Sequence, residues 1–160
     1  MANASTTGFG FRPIKMIGQA SNDAGLSEYK IAASSALISH GAMVQLTSDG
    51  VVLESANNTE ANLGVLNGIF FTDADTNKPT FANFSKASNT ATDIVAFVND
   101  DPRQMFEVMS ADTAFNQNEV GHCADQVKAD GVTPLFVSRS KISATTANSK
   151  AQLKILGVSR

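Results

Sequence analysis

The chain holds 160 residues, with 12 Lys and Arg against 15 Asp and Glu, for a net charge of −3. At 42% hydrophobic and 17% charged it has the composition of one globular domain, less ionic than the usual quarter or so. That excludes a disordered tail, and it argues against nucleic-acid binding, which needs clustered Lys and Arg to displace counterions. The densest basic stretch, Arg139, Lys141 and Lys150, is diluted by Ser, Thr and Ala. Ser, Thr and Asn are expected to supply much of the surface polarity instead.

A single cysteine, Cys123, rules out an internal disulfide. The start lacks a basic region followed by an apolar one, and no apolar run approaches about 18 residues. The expectation is a chain made in a cytoplasm, with no membrane span. The sequons at Asn3, Asn57 and Asn83 then carry little meaning. A domain of this length buries roughly 68–70% of its unfolded surface, enough for a core without metal or disulfide.

In chain order, residues 1–12 are small and polar and end in Gly8-Phe9-Gly10-Phe11-Arg12, followed by Pro13. Gly and Pro punctuate this stretch, which predicts a flexible arm. Its two aromatic residues predict docking, on the chain's own core or on a neighbouring chain. Residues 29–33 read as a strand that ends in Ser34, Ser35 and Ala36; a short helix over residues 32–39 is the alternative. The clearest hairpin joins residues 43–47 to residues 51–54 through Ser48-Asp49-Gly50, because Asp-Gly tolerates the positive φ of a tight turn.

Residues 63–72 form a long strand whose Gly64 and Gly68 suggest a bulge or the close approach of another backbone. Residues 93–98 and 104–109 flank Asn99-Asp100-Asp101-Pro102 and read as a second turn-linked pair. One or two helical turns are expected over residues 111–117, and the last strands over residues 135–139 and 151–158. No window sustains helical spacing over a dozen residues. About seven to nine short strands, with turn signals about every 8–12 residues, predict a mainly β fold. The expectation is one antiparallel β-sandwich or β-barrel domain over residues 13–160, with the arm at 1–12 and at most one or two short helices.

Catalytic chemistry finds little purchase. His122 and Cys123 are neighbours in sequence, and strand neighbours point to opposite faces, so they are poorly placed to share a proton. Asp73-Ala74-Asp75-Thr76-Asn77 matches the opening of a calcium loop. The match then fails, since Lys78 stands where glycine is needed and Phe84 where the closing glutamate belongs. Asp100 and Asp101 before Pro102 are ordinary turn residues. No nucleophile elbow, phosphate loop, dinucleotide fingerprint or zinc spacing occurs. The expectation is therefore no enzyme, no catalytic residue, no cofactor and no metal. Phe70, Phe71, Phe97, Phe106, Phe115 and Phe136 fall mostly in strand runs and are assigned to the core. Phe81 and Phe84 lie in a stretch that reads as a loop, which suits a contact surface.

Several stretches together carry a resemblance. They are Thr7-Gly8-Phe9-Gly10-Phe11-Arg12-Pro13, Gly68-Ile69-Phe70-Phe71-Thr72-Asp73 and Lys78-Pro79-Thr80-Phe81, then Val98-Asn99-Asp100-Asp101-Pro102 with Gln104-Met105-Phe106-Glu107-Val108. Ala151-Gln152-Leu153-Lys154-Ile155-Leu156-Gly157-Val158 completes the set. In order and over most of its length, the chain resembles capsid decoration (cement, or head-stabilising) proteins of tailed bacteriophages, notably short-tailed phages of aquatic bacteria. Relatives are expected to run on beyond Ile155.

The resemblance implies a virion structural protein, made in the bacterial host and seated on the capsid exterior. Its partners would be the major capsid protein and itself, as a homotrimer on local threefold axes, with neither nucleic acid nor membrane. Contacts made only on the closed, expanded shell would stabilise that shell against DNA pressure by mass action, and a trimer would add avidity. The expected interface residues are Phe9 and Phe11, filling pockets, and Arg12, paired with a shell carboxylate, together with Phe81 and Phe84. Two other readings remain open: a tail or tail-tube component, and a virion-displayed glycan-binding β module. The absence of Trp and the single Tyr29 argue against the glycan module.

Overall fold

The computed structural model describes residues 7–18, 25–56, 61–111, 115–143 and 151–158. Eight strands of three residues or more run β1 (Arg12–Met16), β2 (Ser27–Lys30), β3 (Met43–Leu46), β4 (Val52–Glu54), β5 (Gly64–Thr72), β6 (Pro79–Ala82), β7 (Val95–Asn99) and β8 (Gln104–Glu107). Four two-residue strands follow: β9 (Cys123–Ala124), β10 (Gln126–Val127), β11 (Lys141–Ile142) and β12 (Leu153–Lys154). β2, β7, β5, β3 and β4 lie side by side in that order, and β6 pairs with β5 to complete a six-stranded antiparallel sheet. β1–β8, β10–β11 and β9–β12 form three small antiparallel ribbons. The end strands of the large sheet meet only through an isolated bridge, Lys30 to Val51. The expected mainly β architecture is thus what the chain adopts, as packed antiparallel sheets with no closed barrel.

The Asp49-Gly50 hairpin forms as read, with Gly50 at φ 73° and Val44 opposite Glu54. On the long strand, both glycines have structural reasons. A Cβ on Gly64 would collide with the carbonyl oxygen of Asn99 on β7. Gly64→Ala is therefore expected to destabilise the fold by about 1–3 kcal/mol, read as a lower urea midpoint at unchanged slope. Next to Gly68 the ladder slips: Leu66 faces Val98 and Gly68 faces Phe97, leaving Asn67 as an extra residue in a β-bulge. Inward-facing positions therefore change parity along β5, from Leu66 before the bulge to Ile69 after it. Both are fully buried.

The large sheet has a core on each side. Val44, Val52, Leu66, Ile69, Ala96 and Val98 face the first, closed over by Ile31, Ile38, Ala91 and Ile94. Their neighbours Met43 and Val65 face the other way, into a second core with Phe11, Ala124, Ile142 and Ile155. Phe106, Val108, Phe115 and Leu153 pack around this second core. The three ribbons thus cover the second face of the sheet at its β3 end.

Several local expectations give way to longer-range pairing. Residues 93–98 and 104–109 do not form a hairpin: β7 inserts between β2 and β5, while β8 pairs with β1. The Asn99–Pro102 turn redirects the chain from one sheet to another. The stretch holding Phe81 is not a loop but strand β6, whose Pro79 is tolerated at a strand's first position. Residues 135–139 contribute only a bridge between Val137 and His40, because Phe136 sits at φ 46°. Residues 151–158 keep only β12.

The possible helix at 32–39 is a turn, with Ser34 at φ 58°. Of the helical turns expected at 111–117, residues 112–114 lie outside the described residues. A 3₁₀ turn follows at Gln117–Glu119, held by a capping box between Asn116 and Glu119. Serine is not only surface polarity: Ser39, Ser55, Ser85, Ser138 and Ser140 are buried. Ser39 Oγ accepts from Gly131 N–H at 2.9 Å, and Ser138 Oγ from Ser140 N–H at 3.1 Å, satisfying loop backbone that no sheet reaches.

Candidate interaction surface

Residues 1–6 of the expected arm lie outside the described residues, while residues 7–12 run along the body. Gly10, at φ +73°, lies so close to Gly41 that an added Cβ would sit 2.6 Å from its carbonyl oxygen. Phe11 N–H donates to that same oxygen at 2.9 Å. Phe11 is 2% exposed and meets Phe106 edge-on at 6.4 Å between centroids. Burial takes it off the list of contact residues: the ring anchors the segment to the second core rather than awaiting a partner.

Phe9 stays 39% exposed, and the Arg12 guanidinium lies 5.5 Å from its ring centroid. Arg12 also pairs with Glu107 across the β1–β8 ribbon. A carboxylate of this chain already occupies it. Beside these two residues opens a cleft of about 310 Å³, walled also by His40, Asn67, Asn99 and Val137.

A second feature lies on the same side of the large sheet. After the bulge, Phe70 points away from the first core and stands directly opposite Phe81 on β6. Phe81 stacks on Phe97 of β7, with centroids 5.3 Å apart and planes 12° from parallel, and leans on Phe70 at 5.9 Å. Phe81 is 69% exposed and Phe70 36%. On β2, Glu28 lies opposite Phe97 and Lys30 opposite Val95, so the aromatic strip has a charged margin. Phe97 and Asn99 are two residues apart on one strand face, which brings the strip beside the cleft.

Phe84 goes elsewhere. It packs on Phe136 at 4.4 Å and is half-buried, so it does not join Phe81. Phe70 and Phe97 were expected in the core; the bulge, which no local pattern marks beyond Gly68, turns Phe70 outward, while on β7 Ala96 and Val98 take the inward positions and leave Phe97 on the opposite face.

The chemistry-bearing residues serve the fold. Asp73 Oδ1 accepts from Asp75 N–H, Thr76 N–H and the Thr76 hydroxyl at 3.1, 2.8 and 2.9 Å. Those bonds hold its carboxyl below the usual range and shape the β5–β6 turn, with Asn77 at φ 54°. Asp101 is likewise lowered by Arg103 N–H at 2.7 Å, and Asp93 by Thr72. Asp100 accepts from Ser27 Oγ at 2.9 Å and Tyr29 OH at 2.6 Å, and the latter bond raises the tyrosine pKa. Cys123 faces Lys154 in the β9–β12 ribbon. Among the described residues, no three His, Cys, Asp or Glu side chains gather in a group able to hold a metal.

No known protein family, no characterised protein and no solved structure matches the chain.

Proposed function

We propose that this protein is a structural part of a tailed-phage virion that binds the outer surface of the mature capsid, as a trimer at local threefold axes. The observation that carries the reading is the uncovered half of the large sheet. Stacked aromatic rings left facing water on a sheet are the usual mark of a protein contact. The stretches quoted for the resemblance supply the kind of partner. On this reading the shell gains stability because the contacts exist only in its closed, expanded state.

The test is co-sedimentation of the purified protein with expanded empty shells of the phage that encodes it. Phe81→Ala is expected to weaken binding at least tenfold with little loss of stability. Unchanged binding by that variant would remove the aromatic strip from the interface, and no binding by the wild type would end the capsid reading. Light scattering supplies the oligomer number. A mass of about 50 kDa, three times 16.8 kDa, is expected. A hexamer would instead favour a tail-tube ring.

A further inference from the structure

We infer that β6 is a docking edge for a second copy of the chain, the two β6 strands pairing antiparallel about a twofold axis at Phe81. The inference goes beyond the capsid reading and rests on the hydrogen-bond pattern of the large sheet.

The ladder with β5 decides which backbone groups β6 turns outward. At the turn, Asp73 N–H donates to the Lys78 carbonyl at 3.0 Å. In an antiparallel ladder the residues that bond to the partner strand alternate. Thr80 and Ala82, opposite Phe71 and Ile69, therefore bond to β5. Thr72 N–H points the other way, toward the Asp93 carboxylate at 3.1 Å, as that alternation requires. Phe81, between Thr80 and Ala82, thus directs both its N–H and its C=O off the sheet. Among the described residues β6 pairs with β5 alone, and Phe81 itself is 69% exposed.

Sheet edges are usually blunted by charge, by a bulge or by a covering segment. β6 reads Pro79-Thr80-Phe81-Ala82 and holds no charged side chain. Pro79 faces outward like Phe81, and it brings an acceptor without a donor. A strand that ran on past Pro79 would leave a carbonyl of its own unmatched there, so the fitting occupant ends opposite that residue. A second β6 does so. With Phe81 opposite Phe81, Thr80 meets Ala82 and Pro79 meets Asn83, where the strand has already given way to a bend. The two Phe81 residues then exchange N–H···O bonds, which uses the donor and the acceptor of each. Such a contact presents the same patch on both copies and closes on itself.

The side chains agree with the backbone. Cross-strand partners lie side by side on one face, so the pairing joins the Phe70, Phe81 and Phe97 rings of two copies into one aromatic surface. That face stands at right angles to the paired edge and stays open to a shell. Two short strands and a few rings fall well below the roughly 800 Å² per partner of a stable interface. The pairing is therefore weak in dilute solution, where the expected mass is unchanged, and grows where copies are held close together.

The test uses the full chain, isotope-labelled, followed by NMR from about 20 μM to about 2 mM, the span over which weak contacts saturate. Hydrogen exchange at the Phe81 amide is expected to slow at least threefold across that range. In a mixture of labelled and unlabelled chains, a nuclear Overhauser contact is expected between Thr80 Hα of one copy and Ala82 Hα of the other. Phe81→Glu keeps the N–H but sets two carboxylates across the axis, and should lose both effects. Val127→Glu, at an exposed position of β10, should keep both.

Exchange at Phe81 that is independent of concentration would overturn the pairing. Protection without the Thr80–Ala82 contact would overturn a second β6 as the occupant. Unchanged protection in Phe81→Glu would overturn the twofold axis at that residue. None of these readouts involves a capsid, so the pairing and the capsid reading stand or fall separately.

Discussion

Phe11→Ala is expected to cost about 3–5 kcal/mol of folding stability, the usual penalty for emptying a buried phenylalanine site. The ring is 2% exposed, joins Met43, Val65, Ala124, Ile142 and Ile155 in the second core, and meets Phe106 edge-on. For a domain of this size such a loss lowers the melting temperature by roughly 10 °C or more. Phe9→Ala, two residues away on the exposed side, is expected to cost less than about 1 kcal/mol. Denaturant unfolding of the two variants measures the contrast. A Phe11→Ala protein within about 1 kcal/mol of wild type would mean that the ring is not a core anchor. It would also mean that residues 7–12 can leave the body, restoring Phe11 as a candidate contact.

The second large effect concerns Glu54, at the end of β4. The residue is 8% exposed, and its nearest charges are Lys128, whose Nζ lies 3.5 Å away, and Asp130, which shares that lysine. Burial, abetted by Asp130 and only partly opposed by Lys128, raises the carboxyl pKa from 4.5 to about 7. A raised acid pKa means that the folded state holds its proton more tightly than the unfolded chain. This contribution to stability is fully present below about pH 4.5 and is lost as pH rises to about 7. Across that window the loss is about 3 kcal/mol, at about 1.4 kcal/mol per pKa unit.

Glu54→Gln removes the proton and therefore the slope. The difference in unfolding free energy between variant and wild type should swing in favour of the variant by about 3 kcal/mol from pH 4.5 to pH 7.5. Asp73, Asp93 and Asp101, whose pKa values are lowered, act in the opposite sense and only in more acid solution. They also cancel in the difference. A difference that stays flat across the window would show that Glu54 is not a buried acid in the folded protein.

What was legible in the sequence was whatever depended on near neighbours. The β3–β4 hairpin followed from Asp49-Gly50, β5 from its length, and the need for glycine at Gly64 from its place in a strand. Illegible was everything decided by a distant partner. β8 pairs with β1 across 95 positions, Arg12 opposite Glu107, and nothing near residue 104 says so. The same holds for the interface residues. Phe9 and Phe81 were singled out and are exposed, but Phe11 is claimed by a core assembled from five distant segments, and Phe84 by Phe136. Phe70 was missed because its outward aim depends on the slip at Asn67, which alternation alone does not show, and Phe97 because nothing in its own strand says that Ala96 and Val98 take the covered face.

The slip at Asn67 also constrains which kinds of change β5 can absorb. A substitution at Phe70 or Asn67 alters one side chain and leaves every other where it was. Removal of one residue between Leu66 and Ile69 would instead exchange the two sides of the rest of the strand, sending Phe70 into the first core and Ile69 and Phe71 into water. Chains that share this fold should accordingly vary in residue type along β5 while keeping its length fixed, and an alignment of them should carry no gap from residue 64 to residue 72.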